Sequence, residues 1–252
     1  MSLVKSIGTK KVNFDFNKDF ISVFSEKIKT SDIKFINQTL KDLHPSDVAN
    51  LIENLSSDTR AKLIEIEEFD LDPEIFIEIN ESIQSEVLQL LSADSIAKIV
   101  KRLESDNAIA ILENLDANKK KFVLDKLPPK DRFLLEEGLS YPEDSAARIM
   151  QREFAAVPSD WSVGQTIDYL RESKELPQEF LEIFIVDNAF KPIGVVPSSR
   201  VLRTPRDLKV NSIMRKMPVL ISVNTDKEEV GHTFENYNLV SAGVVNRDNK
   251  LV

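Results

Sequence analysis

At positions 99–103 the chain reads Ile99-Val100-Lys101-Arg102-Leu103, a phrase of two apolar residues, two variable residues and a third apolar residue. The phrase recurs every twelve residues, and only one copy breaks it, with Glu67 at its last position. Residues at i, i+1 and i+4 lie on one face of a helix, so each copy predicts a short amphipathic helix. The copies begin at Leu51, Leu63, Ile75, Val87, Ile99, Ile111 and Val123.

Twelve residues leave room for about two helical turns and a corner. A helix that short is marginal in water and must bury its apolar stripe against its neighbours. The copies therefore predict a superhelical stack of short helices, an architecture that usually serves binding or coupling. A weaker copy at Leu40 and Leu43 precedes the stack, and a further helix is predicted from a four-residue spacing of Phe16, Phe20, Phe24 and Ile28.

The corners between the copies hold residues that start helices. Short oxygen side chains there can accept the unpaired N–H groups of the next helix, and we expect Asp58 and Asp116 to act as such caps. Pro73 and Pro129 suit the first helical position, where no N–H group is needed.

The period changes after residue 139, where one last helix gives way to a linker at 140–144. Strand-like stretches at 180–187 and 192–196 follow a helix for which Asp160 is the expected cap, which predicts a β-α-β-β unit. The unit is repeated, since Ile149-Met150 recurs as Ile213-Met214. The second copy stops before its last strand and helix, so we expect the chain to be a fragment of a longer protein.

Composition excludes several chemistries. The chain has no Cys, two His in different modules and six Gly without phosphate-loop spacing, so thiolate metal sites and nucleotide loops of that type are excluded. No apolar run is long enough to span a membrane and no signal peptide is visible. Carboxylates and backbone carbonyls remain, which are ligands for hard cations such as Mg²⁺.

The acidic residues are concentrated in the helical repeats. The net charge is −9, and residues 42–117 carry 18 Asp and Glu against 5 Lys and Arg, which leaves the rest of the chain at +4. A field of that sign repels nucleic acid and attracts cations or basic partners. For any single carboxylate a solvated surface role remains open.

The order of these elements resembles one family, the MgtE-type magnesium transporters, over about residues 40–252. The family-like phrases are Leu43-His44-Pro45-Ser46-Asp47, Leu127-Pro128-Pro129, the stretch 223–230 and Val244-Val245-Asn246-Arg247-Asp248. The resemblance implies an α + α/β chain, with a superhelical stack of short helices followed by a tandem pair of CBS (β-α-β-β-α) domains, the second incomplete. It implies an N-terminal helical extension at 1–30, an N domain at 31–139, a linker at 140–144 and CBS domains at 145–206 and 207–252.

The resemblance also implies a function without catalysis. In such proteins Mg²⁺ bridges the acidic faces of the N and CBS domains and favours the closed pore. The expected partners are a second copy of the chain, bound through the CBS domains, and the transmembrane domain of the full-length protein. The expected location is the cytoplasmic face of the cell membrane.

Carried over by position, the family's metal-binding acids match Glu74 and Asp106 in the N domain and Asp226 and Glu228 in the second CBS copy. Asp226 is also the expected N-cap of a helix through Val230. Two departures, Ala110 and Asn238, stand where the family has further acids.

CBS pairs often bind adenine nucleotides through a Ser/Thr-x-x-Asp phrase. Here the phrase reads Ser198-Ser199-Arg200-Val201. Valine cannot accept a ribose hydroxyl, so ATP is a doubtful cofactor, left open because the second copy of the phrase falls beyond Val252. The alternative to a magnesium sensor is a protein-docking scaffold of the flagellar-switch type with a CBS regulatory pair and no metal dependence.

Overall fold

The structure, a computed structural model, describes residues 16–66, 72–177, 179–216 and 219–252. It has two compact units: residues up to Leu103 with Ile111–Lys126, and Glu104–Ala110 with Leu127–Val252. The domain boundaries predicted above stay a prediction. The Glu67 position of the broken repeat copy lies outside the described residues.

Short helices follow one another through the repeat region, as the twelve-residue period predicts. Their bounds are α1 Lys18–Lys29, α2 Ile33–Lys41, α3 Pro45–Asn54, α4 Ser57–Ile66, α5 Glu74–Glu78, α6 Glu81–Leu90, α7 Ala93–Arg102, α8 Ser105–Glu113 and α9 Ala117–Lys126. The phenylalanines of α1 stack along the helix, with ring centroids of Phe20 and Phe24 separated by 6.1 Å. The predicted helix over residues 14–28 is therefore confirmed from Lys18 onward, with Phe16 before its N-cap Asn17; residues 14 and 15 lie outside the described residues.

Each repeat phrase falls at the end of its helix. The paired apolar residues lie in the last turns, and the third apolar residue is the C-cap, as at Leu55, Ile79, Leu91 and Leu103. These caps are in extended conformation, with ψ between 137° and 155°. The third apolar residue thus ends the helix and turns the chain while its side chain still packs inward.

The corners carry caps, though not always the predicted residue. The Asp116 carboxylate accepts N–H bonds from Asn118 and Lys119, as expected. The expectation for Asp58 is wrong, because Ser56 Oγ accepts from Thr59 N and Asp58 lies in the first turn of α4. Asp58 is thus a first-turn residue and not the N-cap, and its negative charge still suits the positive end of the helix dipole.

The repeat register predicts different costs for two leucines on α6. Leu88 is fully buried, whereas Leu90 is 47% exposed. We expect Leu88→Ala to lower the free energy of unfolding by about 2–5 kcal/mol, because it leaves a cavity. The matched control Leu90→Ala should cost less than about 1 kcal/mol in the same urea titration. Equal losses of unfolding free energy from the two substitutions would contradict the assignment of Leu88 to the buried face and Leu90 to the exposed face.

After the repeats, the second unit contains small sheets covered by helices. The helices are α10 Pro129–Ser140, α11 Ala146–Ile149, α12 Val163–Glu172, α13 Ser198–Leu202, α14 Val210–Ile213 and α15 Lys227–Tyr237. The strands are β1 Ala156–Pro158, β2 Glu182–Val186, β3 Pro192–Pro197, β4 Leu220–Ser222 and β5 Gly243–Val245. Pro129 takes the first position of α10, as predicted.

The two copies share their topology. In the first, β1 pairs with β2 in parallel and β2 with β3 antiparallel; in the second, β4 pairs with β5 in parallel. A helix connects each parallel pair, α12 in the first copy and α15 in the second. The predicted β-α-β-β unit is confirmed in the first copy, and the second copy repeats its β-α-β part, with Leu251 bridged to Val245. Strand β2 is buried on both faces, with Ile183 and Ile185 on one face and Phe184 and Val186 on the other.

The predicted cap of α12 is wrong. Ser162, not Asp160, is the N-cap: its hydroxyl accepts from Gln165 N at 3.1 Å, and the Gln165 side chain accepts from Ser162 N at 2.8 Å. This reciprocal pair forms a capping box, which needs a Ser or Thr three residues before a Glu or Gln. Asp160 lies two residues before Ser162 and is therefore not part of this capping box.

The capping box predicts a difference between two neighbouring substitutions. Ser162→Ala should lower stability by about 0.5–2 kcal/mol, because an N–H group of α12 loses its partner. Asp160→Ala should change it by no more than about 0.5 kcal/mol, since the Lys209 side chain bonds the Asp160 backbone carbonyl, which the substitution keeps. Thermal unfolding of the two variants beside the wild type measures both values. A larger loss of stability from Asp160→Ala than from Ser162→Ala would indicate that Asp160 is the cap.

Candidate functional site

Asp226 and Glu228 lie at the N-terminus of α15. Asp226 is the N-cap, as expected, and its Oδ1 accepts from Glu228 N at 2.8 Å. Both side chains are exposed. The partial positive charge at a helix N-terminus favours carboxylates at both positions. One oxygen of Asp226 is thus already used by the fold.

The linker before the first CBS copy is hydrogen-bonded to this helix start. Ser145 and Asp226 form an antiparallel bridge. Lys227 N donates to Asp144 O and Ala146 N to Thr225 O, both at 2.7 Å. We call residues 144–147, with their bonds to 223–227, the strap. Sequence reasoning missed it, because its partners are about eighty residues apart along the chain.

An ion pair reinforces the strap. Lys227 Nζ lies 2.5 Å from Asp144 Oδ1. The hydrogen bond to Asp144 and the negative charges of Asp144, Asp226 and Glu228 raise the pKa of the Lys227 ammonium. A cation supplied by the chain itself therefore lies next to two of the predicted metal-binding acids.

Asp106 lies in the first turn of α8 beside a second carboxylate that the sequence did not single out. The neighbouring Ser105 donates its hydroxyl to Glu153 Oε2 at 2.8 Å and its N–H to the same oxygen at 3.2 Å. Burial raises the pKa of the Asp106 carboxyl, and the nearby Glu153 charge raises it further. Asp106 and Glu153 thus form a pair of like charges.

A buried arginine follows the same segment. Arg152 N donates to Ser105 Oγ at 2.9 Å, and its Nη1 donates to Glu137 Oε2 at 2.6 Å. Its Nε and Nη2 are buried and have no hydrogen-bond partner within the described part of the chain. The guanidinium partly balances the carboxylates of this region.

Glu74 belongs to the first unit, in the first turn of α5, and is exposed. Its N–H donates to Asp72 Oδ1 at 3.1 Å. Within the described ranges, no three His, Cys, Asp or Glu side chains are grouped closely enough to hold a metal ion. The structure thus pairs Asp226 with Glu228 and brings Asp106 to Glu153, whereas the metal-binding role of all four predicted acids stays a prediction.

One of the two departures from the family pattern, Asn238, has a local explanation, and nothing in the structure explains the other. Ala110 is exposed on α8. Asn238 ends α15 in the left-handed conformation, with φ 47°. Asparagine tolerates that conformation better than most residues, so the helix end suffices to explain it.

The nucleotide phrase does not fit a ribose. Val201 is 1% exposed and belongs to the apolar core of the first copy, together with Val196 and Val210. Ser198 Oγ is engaged with the backbone carbonyls of Phe180 and Leu181. Val201 therefore offers no acceptor for a sugar hydroxyl at the position where the phrase needs an aspartate.

A cavity of about 270 Å³ opens elsewhere in the second unit. Its lining is largely apolar, from strands of both copies and from α15, and includes Phe184, Phe234 and Val244, with Glu153 at its polar side. Such a lining suits an apolar or aromatic group.

Family comparisons agree with this arrangement. Residues 43–144 match the model of the MgtE intracellular N domain, and residues 146–207 match the CBS domain. The chain is therefore a helical-repeat domain followed by a CBS module. It is homologous to the intracellular part of MgtE magnesium transporters.

Relatives at low identity support the same family. The magnesium transporter MgtE of Thermus thermophilus is 24% identical over 230 residues, which cover 90% of this chain and 51% of that protein. MgtE of Bacillus subtilis is 20% identical over 225 residues, which cover 89% and 50%. The chain thus spans about half the length of these relatives, which are named as transporters and not as enzymes, in agreement with the predicted absence of catalysis.

Solved structures share the fold. The cytosolic domain of the Mg²⁺ channel MgtE, solved in complex with ATP, superposes with a TM-score of 0.83 at 23% identity, covering 92% of this chain and 95% of that one. The soluble part of a magnesium transporter gives 0.77 at 20% identity, covering 92% and 91%. Across the described residues no helix is long and apolar enough to cross a membrane.

The raised pKa of Asp106 predicts a pH-dependent stability. Because the folded state raises the pKa of this carboxyl above its usual 3.8, ionisation favours the unfolded chain. Stability from this group is complete below the unfolded pKa and is lost as pH rises through the folded pKa. In metal-free buffer, Asp106→Asn should raise the unfolding temperature at pH 7 and leave it nearly unchanged near about pH 3.

The control for this prediction is Asp125→Asn, which makes the same charge change at an exposed position of α9. An equal gain from both variants at pH 7 would mean that net charge, and not the burial of Asp106, sets the effect.

Proposed function

We propose that the chain is the cytosolic Mg²⁺-sensing and gating module of a magnesium channel or transporter. The observation that carries the proposal is an MgtE intracellular N domain at 43–144 followed at once by a CBS domain at 146–207. Relatives that share this order are named magnesium transporters. In the proposed mechanism Mg²⁺ bridges acidic faces of the N and CBS domains and favours the closed pore.

Electrostatics support a bridging role for a divalent cation. Residues 42–117 carry a net charge of −13. Like charges that face each other across an interface destabilise it, and a bound divalent ion reverses the sign of that interaction. Low Mg²⁺ should therefore separate the acidic surfaces, and high Mg²⁺ should hold them together.

The proposed ligands are Glu74, Asp106, Asp226 and Glu228. Carboxylates are hard oxygen donors, which suit Mg²⁺, and this ion commonly keeps several waters and binds one or two carboxylates. Sites of that kind agree with exposed acids such as Asp226 and Glu228, which are not gathered into a closed cage. A millimolar sensor needs only about 4 kcal/mol of binding free energy per site.

The proposal includes partners and a location. Two copies would pair through their CBS domains, and a transmembrane domain of the same full-length protein would receive the signal at the cytoplasmic face of the membrane. One solved relative contains ATP. ATP has no part in the proposed mechanism, because buried Val201 occupies the position expected to hold the ribose.

Limited digestion with a glutamate-specific protease across a MgCl₂ titration, with NaCl at matched ionic strength, tests the proposal. The bond to follow is Glu143–Asp144, which is exposed and lies in the predicted linker between the N domain and the first CBS domain. We expect protection at millimolar Mg²⁺ but not in NaCl, because an ion that bridges the domains restricts access to their connection. The protection should weaken in Asp226→Asn and Asp106→Asn.

The matched control is Glu235→Gln, which removes one exposed negative charge two turns further along α15. It should leave the Mg²⁺ dependence unchanged. A digestion pattern that ignores Mg²⁺ would refute ion-bridged docking in this chain. The scaffold reading, in which the acidic face binds a basic protein without metal, would then take its place.

A further inference from the structure

Lys227 is placed by the backbone and not only by its own side chain. The strap fixes its N–H on Asp144 O at 2.7 Å, and the bridge between Ser145 and Asp226 holds the two segments side by side. The helix cap then fixes Asp226 against Glu228. The Lys227 ammonium contacts the Asp144 carboxylate, and Asp226 and Glu228, its neighbours on either side in the chain, add their negative charges nearby.

The ion pair of Lys227 is open to solvent. The Lys227 side chain is 50% exposed and that of Asp144 is 66% exposed. Exposed pairs are weak, because water screens the charges and the long side chain loses freedom. A divalent cation in solution can therefore displace this ammonium without unfolding the strap, whose backbone bonds do not depend on the side chain.

We propose that Lys227 is an internal counter-cation that competes with Mg²⁺ at Asp226 and Glu228 and so sets the Mg²⁺ concentration at which they respond. This inference rests on the proposed function for the role of these two acids. Without added ion, the ammonium neutralises part of the carboxylate charge and ties α15 to the linker. When Mg²⁺ binds, the ammonium moves away from Asp226 and Glu228, and Asp144 loses its side-chain partner.

Coulomb's law sets the size of the effect. The ammonium repels a divalent ion bound a few ångströms away, and water with salt reduces that repulsion. Removal of the positive charge should lower the half-saturating Mg²⁺ concentration about three- to tenfold. A charge at a greater distance should have a much smaller effect.

The experiment is a MgCl₂ titration of the whole chain at constant ionic strength, followed by backbone amide chemical shifts of residues 144–147 and 226–230. The variants are Lys227→Gln, which removes the charge, and Lys227→Arg, which keeps it. Lys191→Gln makes the same change in net charge at an exposed turn between β2 and β3. Asp226→Asn removes one proposed ligand, and an unchanged amide spectrum without Mg²⁺ verifies that each variant folds.

The expected result is a three- to tenfold lower half-saturation for Lys227→Gln, with Lys227→Arg and Lys191→Gln close to the wild type. Equal half-saturation of Lys227→Gln and Lys191→Gln would overturn the inference, while a wild-type response that Asp226→Asn abolishes would leave the proposed function standing. A wild type whose amides ignore Mg²⁺ would overturn both.

Discussion

A helix of about ten residues cannot hold itself together in water, and the whole first unit depends on how the chain meets that constraint. In the intact copies the phrase buries two apolar side chains in the last turns of its helix, and a third apolar residue lies at or just beyond the helix end. Leu55 and Leu91 show the device: both are buried and both leave the helix in extended conformation. Burial and chain reversal are thus achieved by the same residue, which is why the period stays at twelve.

Polar side chains inside the stack are held by hydrogen bonds to neighbouring helices. The Arg60 guanidinium reaches back to Leu55 O at 2.6 Å and across to Glu86 at 2.8 Å, where its hydrogen bonds hold the pKa of that carboxyl below its usual range. Gln84 donates to Phe76 O and accepts from Asn114, both at 2.5 Å. Buried polar groups need such partners. The bonds to Leu55 O and Phe76 O join consecutive copies of the phrase, whereas those to Glu86 and from Asn114 join copies two repeats apart.

The separation of interacting residues along the chain explains which features the sequence could predict. Periodicity is local, so it predicted the helical stack and the duplicated β-α-β-β unit, and local geometry predicted the Asp226 cap. The cap of α12 was assigned to the wrong residue, because Asp160 is also a residue type that is preferred at N-caps and it lies just before the Ser162–Gln165 capping box. The strap and the approach of Glu153 to Ser105 join residues far apart along the chain. No pattern within a single segment specifies such pairs.

Asp226 has two structural roles before any ion is considered. Its carboxylate caps α15, and its backbone forms the bridge to Ser145 that fixes the linker after α10. A change in the charge or hydration of this carboxylate therefore acts on the start of a helix and on a linker at once, through bonds of ordinary length. Coupling of this kind needs no long chain of contacts, because a single residue belongs to both elements. The N-terminus of α15 is thus the position in the second unit where a local charge change has the shortest physical route to the linker.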